Sequence, residues 1–191
     1  MPDKKRIIIG MSGASGAVLG LELLKAFGKQ ENWETHLVVS HGAEKTLELE
    51  TGLTLSQTAA LADFHYDIHE ISAAIASGSF RTEGMVIAPC SMKTVAGIAC
   101  GYAENLLLRS ADVCLKERRK LVLVARETPL NPVHLKNMLE LATYGAVILP
   151  PVMSFYGRPE TIEDMISHIV GKTLIQFGLD WPGLRPWSGE G

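Results

Sequence analysis

Cysteine is scarce, with only Cys90, Cys100 and Cys114 in 191 residues. The number is odd and no Cys-x-x-Cys spacing occurs, which argues against both a disulfide framework and a thiolate zinc site. No apolar run approaches the length of a membrane span. Lys4-Lys5-Arg6 before Ile7-Ile8-Ile9 imitates a signal peptide, but the apolar run is too short and a glycine loop cuts it. No basic stripe appears, and a net charge of −3 with a pI near 6.1 argues against a nucleic-acid partner. Metal-ligand spacing is equally thin. His65 and His69 stand four apart and would pair on a helix, but no third ligand follows at a sensible distance, so no metal is expected. No repeat, linker or low-complexity block marks a second domain. The chain reads as a cytosolic protein.

Apolar residues, by contrast, are abundant: 47% of the chain, with a mean hydropathy of +0.15. At this length they suffice for the core of one domain spanning 1–191. Part of the surplus is assigned to contacts between subunits. Five short β-branched runs read as strands buried on both faces: Arg6–Gly10, Thr35–Ser40, Gly84–Pro89, Lys120–Ala125 and Ala146–Pro150. Helical stretches fall between them at 16–28, 42–51, 93–101, 105–118 and 131–144, with a last one at 160–178. This alternation predicts an α/β fold with a doubly wound parallel sheet, whose ligands gather at the carboxyl ends of the strands.

The first strand runs into Gly10-Met11-Ser12-Gly13-Ala14-Ser15-Gly16 and then a helix. Glycines allow a sharp turn and close approach of a phosphate, and the helix start aims its amides at that space. The Gly-x-x-Gly-x-x-Gly spacing differs from the dinucleotide fingerprint, no acidic residue ends the second strand, and no Gly-Lys-Ser/Thr follows. A mononucleotide such as FMN suits this loop better than NAD or ATP; a ligand-free tight turn is the bland alternative. Polar groups recur at the other strand ends: Ser40 and His41, Ser91 to Thr94, Arg126 and Glu127, and the Phe155-Tyr156 loop. Each has an ordinary explanation. Ser91 and Thr94 suit a helix cap, Arg126-Glu127 an ion pair, Glu50 an exposed carboxylate, and Lys116 to Lys120 a solvated face. Arg109 and Lys116, seven apart, share one helical face and form either a phosphate wall or a charged surface. Their convergence carries more weight than any one of them.

Several long strings resemble the UbiX-type flavin prenyltransferases. They include Gly10 to Gly16, Thr35 to Ser40, Ile71 to Phe80, Pro89 to Thr94, Asn105 to Arg109, Ala111 to Arg118, Leu121 to Leu130, Leu149 to Pro151 and Phe155-Tyr156. The resemblance runs nearly end to end. It implies a Rossmann-like flavoprotein domain that transfers the dimethylallyl group of dimethylallyl monophosphate to N5 and then C6 of reduced FMN, without metal. The prenylated FMN serves a partner decarboxylase of the UbiD type, and the family assembles as a homododecamer. By matching motif, FMN is expected to meet Gly13, Ala14, Ser15, Ser40, Ser91, Met92, Lys93, Thr94 and Arg126. The prenyl phosphate is expected to meet Arg109, Lys116, Tyr156 and Lys172, the last in a helix closing over the carboxyl edge. Ser15, Glu50, Lys116 and Glu127 take the catalytic roles. The tail 179–191 is expected to cover the active site.

Three positions depart from the pattern. Lys172 stands where relatives often carry Arg, Ala125 replaces a common Pro, and Arg185-Pro186-Trp187 separates residues that relatives hold adjacent. Two other functions compete. A flavin-dependent cysteine decarboxylase would require a His where Glu50 stands and a Pro-x-Met-Asn clamp, which is missing. A non-catalytic flavin carrier would not need Glu50, Arg109, Lys116, Glu127 and Tyr156.

Overall fold

The computed structural model describes residues 4–184. Six strands form one sheet: β1 (Lys5–Met11), β2 (Trp33–Val39), β3 (Phe64–Tyr66), β4 (Gly84–Cys90), β5 (Lys120–Ala125) and β6 (Val147–Ile148). Every pairing is parallel and the order is β3-β2-β1-β4-β5-β6. The order reverses between β1 and β4, which is where such sheets open a ligand crevice.

Alternation along the strands divides the core in two. Ile7, Ile9 and Met11 of β1 face one side, with Leu37, Val86 and Val124, under α1 (Ala17–Gly28), α2 (His41–Thr51) and α7 (Ile162–Leu174). Ile8 faces the other side, with Met85, Ile87 and Leu123, under α4 (Met92–Ala99), α5 (Leu106–Lys116) and α6 (Pro132–Thr143). Each fully buried Ile, Leu or Phe contributes about 1.5–3 kcal/mol, so two continuous cores hold the helices firmly against both faces.

Three short elements lie outside the five strands and six helices that the sequence predicts: β3, the helix α3 (Leu55–Ala59) with its Thr54–Gln57 capping box, and a 3-10 turn at Ala74–Ala76. The last strand is shorter than Ala146–Pro150, and the last helix gives way to a 3-10 turn at Ile175–Phe177. His65 lies on β3 and His69 in the turn that follows, so the two share no helix face. Part of the Lys116–Lys120 run is not a solvated face. Arg119 donates to the carbonyls of Gly78 and Phe80 at 2.5 and 2.7 Å, and Lys120 Nζ to Gln176 at 2.7 Å.

Candidate active site

Three loops meet at the carboxyl edge because β2, β1 and β4 are neighbours. The turn after β1 is tight: Ala14 N–H donates to Ser12 at 2.7 Å, and Gly16 caps α1 with φ of 104°, a conformation open to glycine. A side chain at Gly13 would meet the Gly42 backbone at 3.0 Å, so this loop and the start of α2 approach as only two glycines allow. Ser40 caps α2, accepting from Ala43 N–H at 3.3 Å, while its own N–H donates to Met11 at 3.0 Å.

Ser12 is the hub between the loops. It is buried; its Oγ accepts from Ser91 N–H at 2.8 Å and donates to the Pro89 carbonyl at 3.2 Å. Ser91 in turn caps α4 through Thr94 N–H at 3.3 Å, as its sequence position implied. Met92 and Thr94 point into the core and Lys93 is exposed. The Met92 and Lys93 amides donate to no protein atom among the described residues, which leaves an anion-ready helix start beside Ser12. The contact between Ser12 and Ser91 spans 79 positions and has no signal in the sequence.

The amides of α1 are used differently from the expectation. Glu50, at the end of α2, accepts from Gly16 N–H at 2.9 Å and from Ala17 N–H at 2.8 Å. A carboxylate of the protein thus occupies the amides that the loop was expected to offer a phosphate. Burial pushes the Glu50 carboxyl up, but hydrogen bonds from Ser15, Gly16 and Ala17 and the Arg126 charge outweigh it, leaving its pKa below the ordinary value. Arg126 N–H is tied to the Cys90 carbonyl at 3.0 Å, where β4 and β5 slip in register. Glu127 Oε1 accepts from Thr128 N–H at 3.0 Å. Arg126 therefore faces Glu50 electrostatically, and Glu127 stays solvent-exposed at the same edge.

The four residues expected on the prenyl phosphate do not join this group within one chain. Arg109 and Lys116 do share a face of α5. That helix starts where Leu106 N–H meets the Ile68 carbonyl and ends just before Lys120 opens β5, so Lys116 lies about 15 Å along it, at the amino edge. Arg109 donates to the Ala76 carbonyl at 3.2 Å and to Asp112 at 2.5 Å, and Lys116 pairs with Glu117. Lys172, expected over the carboxyl edge, stands in the last turn of α7. The next residues reach Trp33 and Lys120, which open β2 and β5. The direction of α7 carries it to the opposite rim. Tyr156 is 82% exposed in the loop after β6. The described part of the tail lies along α7, where Trp181 Nε1 donates to Ser167 at 2.8 Å. Arg185, Pro186 and Trp187 lie outside the described residues.

Buried thiols offer no nucleophile, since burial pushes Cys90 well above the ordinary value and Cys114 up to about 12. Among the described residues, no three His, Cys, Asp or Glu side chains are grouped to hold a metal.

Known proteins match this arrangement over almost the whole chain. The Flavoprotein family profile covers residues 1–174. A probable UbiX-like flavin prenyltransferase of Sedimentibacter hydroxybenzoicus is 54% identical, over 96% of this chain and 97% of its own. A dodecameric FMN-dependent UbiX-like decarboxylase from Escherichia coli O157:H7 superposes with a TM-score of 0.95 at 53% identity, covering 96% of this chain and 100% of that one. AnUbiX (PadA1), solved with FMN and dimethylallyl pyrophosphate, has a TM-score of 0.95 at 49% identity over 98% of this chain and 100% of that one. The chain belongs to the flavoprotein family, in its UbiX-like flavin prenyltransferase branch.

Proposed function

We propose that this chain is a flavin prenyltransferase that joins a dimethylallyl group to N5 and C6 of reduced FMN. The observation carrying this reading is the cluster of Glu50, Ser15 and Arg126 on the first turn of α1, beside the Ser12–Ser91 hub. A binding module needs the hub but has no use for a carboxylate held anionic over it.

Ser12, Ser40, Ser91 and the Met92 and Lys93 amides suit a flavin phosphate, with Gly13, Ala14, Ser15, Thr94 and Arg126 completing the cradle. Reduced FMN, when bound, supplies the nucleophilic nitrogen and the neighbouring ring carbon. Ser15 and Glu127 exchange the proton released at that nitrogen. Glu50, kept ionised by the α1 amides, accepts the proton of the ring-closing step together with the departed phosphate. Arg109, Lys116, Tyr156 and Lys172 hold the donor phosphate and stabilise the charge that grows as its C–O bond breaks. Because Lys116 and Lys172 lie at the amino edge, and Arg109 turns to the Ala76 carbonyl and Asp112 rather than to Glu50, these cations serve sites of adjacent subunits. A closed homo-oligomer meets that requirement, and we assign it the dodecamer of the Escherichia coli relative. Exposed Val133, Leu135 and Leu139 on α6 and Val152, Met153 and Phe155 after β6 supply apolar surface for it. The product passes to a UbiD-type decarboxylase in the cytoplasm.

Anaerobic incubation with reduced FMN and dimethylallyl monophosphate, followed by mass analysis of the flavin, tests the reading. Flavin gaining one dimethylallyl group is the expected result. Unmodified flavin with the protein folded and FMN retained overturns it.

A further inference from the structure

The two histidines that sequence spacing would have paired are not partners; His69 instead meets His41 from a different element. Their Nε2 atoms stand 3.1 Å apart, with ring centroids at 5.3 Å and planes inclined by 48°. Both imidazoles are exposed, one in the first turn of α2 and one in the turn after β3. The geometry points to a two-histidine site for a borderline divalent cation such as Zn2+, held by His41 Nε2 and His69 Nε2.

Two imidazole nitrogens on one cation at about 2.0–2.1 Å stand about 2.9–3.4 Å apart, between square and tetrahedral arrangements. The observed separation lies inside that range. The tautomer is also favourable. His41 Nδ1 lies 3.4 Å from Glu44 Oε1, so its proton is drawn to the carboxylate and the Nε2 lone pair turns toward His69. The proton between the rings then belongs to His69 Nε2, and on binding a cation His69 takes the tautomer with that proton on Nδ1, so both Nε2 lone pairs face the cation. The backbone of the second ligand is fixed as well, since His69 N–H donates to Asp67 Oδ1 at 2.7 Å. Exposed on both sides, the cation keeps open positions for water. Imidazole pairs favour Zn2+, Cu2+ and Ni2+ over Mg2+ or Ca2+. The site staples the turn after β3 to the start of α2, one residue beyond Ser40, and takes no part in prenyl transfer.

Zn2+ titrated into the purified full chain, against a chromogenic chelator, tests the site. One Zn2+ per chain is expected, abolished by His41→Ala and by His69→Ala, unchanged by His65→Ala, and weakened about tenfold or more by Glu44→Gln. With Cu2+, electron paramagnetic resonance is expected to show two imidazole nitrogens in the wild type and one in either alanine variant. Zinc uptake that is absent from the wild type, or indifferent to His41 and His69, overturns the proposal.

Discussion

Glu50 sits on the amide of Ala17 at 2.8 Å, reaching back 33 positions from the end of α2 to the first turn of α1. The contact joins two neighbouring helices at the mouth of the site. It also converts a generic anion-binding helix start into a holder for one particular carboxylate. In the proposed reading the flavin phosphate goes to the start of α4, and Glu50 stands as a base beside Ser15.

Glu50→Gln therefore acts on stability as well as on turnover. The Glu50 pKa lies below its ordinary value of 4.5 in the folded chain, so its stabilisation is complete above that pH. It is lost as pH falls through the lower, folded value. Loss of the charge at an exposed helix start costs about 0.5–1 kcal/mol at neutral pH. Denaturation across pH 7 to 3 is expected to show the variant less stable at pH 7 and converging with the wild type in acid. A constant difference at every pH refutes the assignment.

Ser12→Ala strips Ser91 N–H of its buried acceptor, a loss worth about 1–3 kcal/mol. The variant should melt at a lower temperature and bind FMN less tightly, because α4 loses the anchor that aims its first amides. Ser12→Thr tests the same hub while keeping the hydroxyl, and is expected to lose less. Thermal melts and FMN titrations on both variants check this ordering.

Arg109 and Glu127 are proposed to meet in one site while coming from different chains. Each of Arg109→Ala and Glu127→Gln alone should abolish most prenyl transfer, and Glu127→Gln should keep its FMN. Co-expressed in equal amounts, the two variants should recover activity in about a quarter of the sites, since each site draws its two residues independently. Activity no greater than the sum of the separate variants would place both residues in one chain's site.

Lys172→Ala should raise the requirement for dimethylallyl monophosphate by about one to two powers of ten, the worth of a charge-assisted bond. FMN affinity should barely change, because the α4 start and Ser12 are far from the last turn of α7. Lys172→Arg should be near neutral. Parallel titrations with the two ligands separate these outcomes; weaker FMN with an unaltered donor requirement contradicts the assignment.

Much of the fold was legible. β-branched runs alternating with helices implied the parallel sheet, and Ser40, Ser91 and Asn105 each cap a helix, as short polar residues before an apolar segment do. β3 escaped because three residues between Asp63 and Asp67 give no periodicity. Its stability is tertiary, from His36 stacking on Phe64 at 5.0 Å and bonding to Tyr66 at 2.9 Å. α3 escaped because five residues are too few to show a helical face.

What the sequence determined by itself is local: where strands and helices form, which residues cap them, and which family the motifs resemble. Adjacent side chains and backbone preferences decide those matters. Which rim of the sheet a residue reaches was decided only by the tertiary structure. Lys116 and Lys172 are matched by motif to the prenyl phosphate, yet α5 and α7 run back along the parallel sheet and carry them to its amino edge. The same packing brings Glu50 to Ala17, Ser12 to Ser91 and His41 to His69, contacts over 28 to 79 positions that no local pattern encodes.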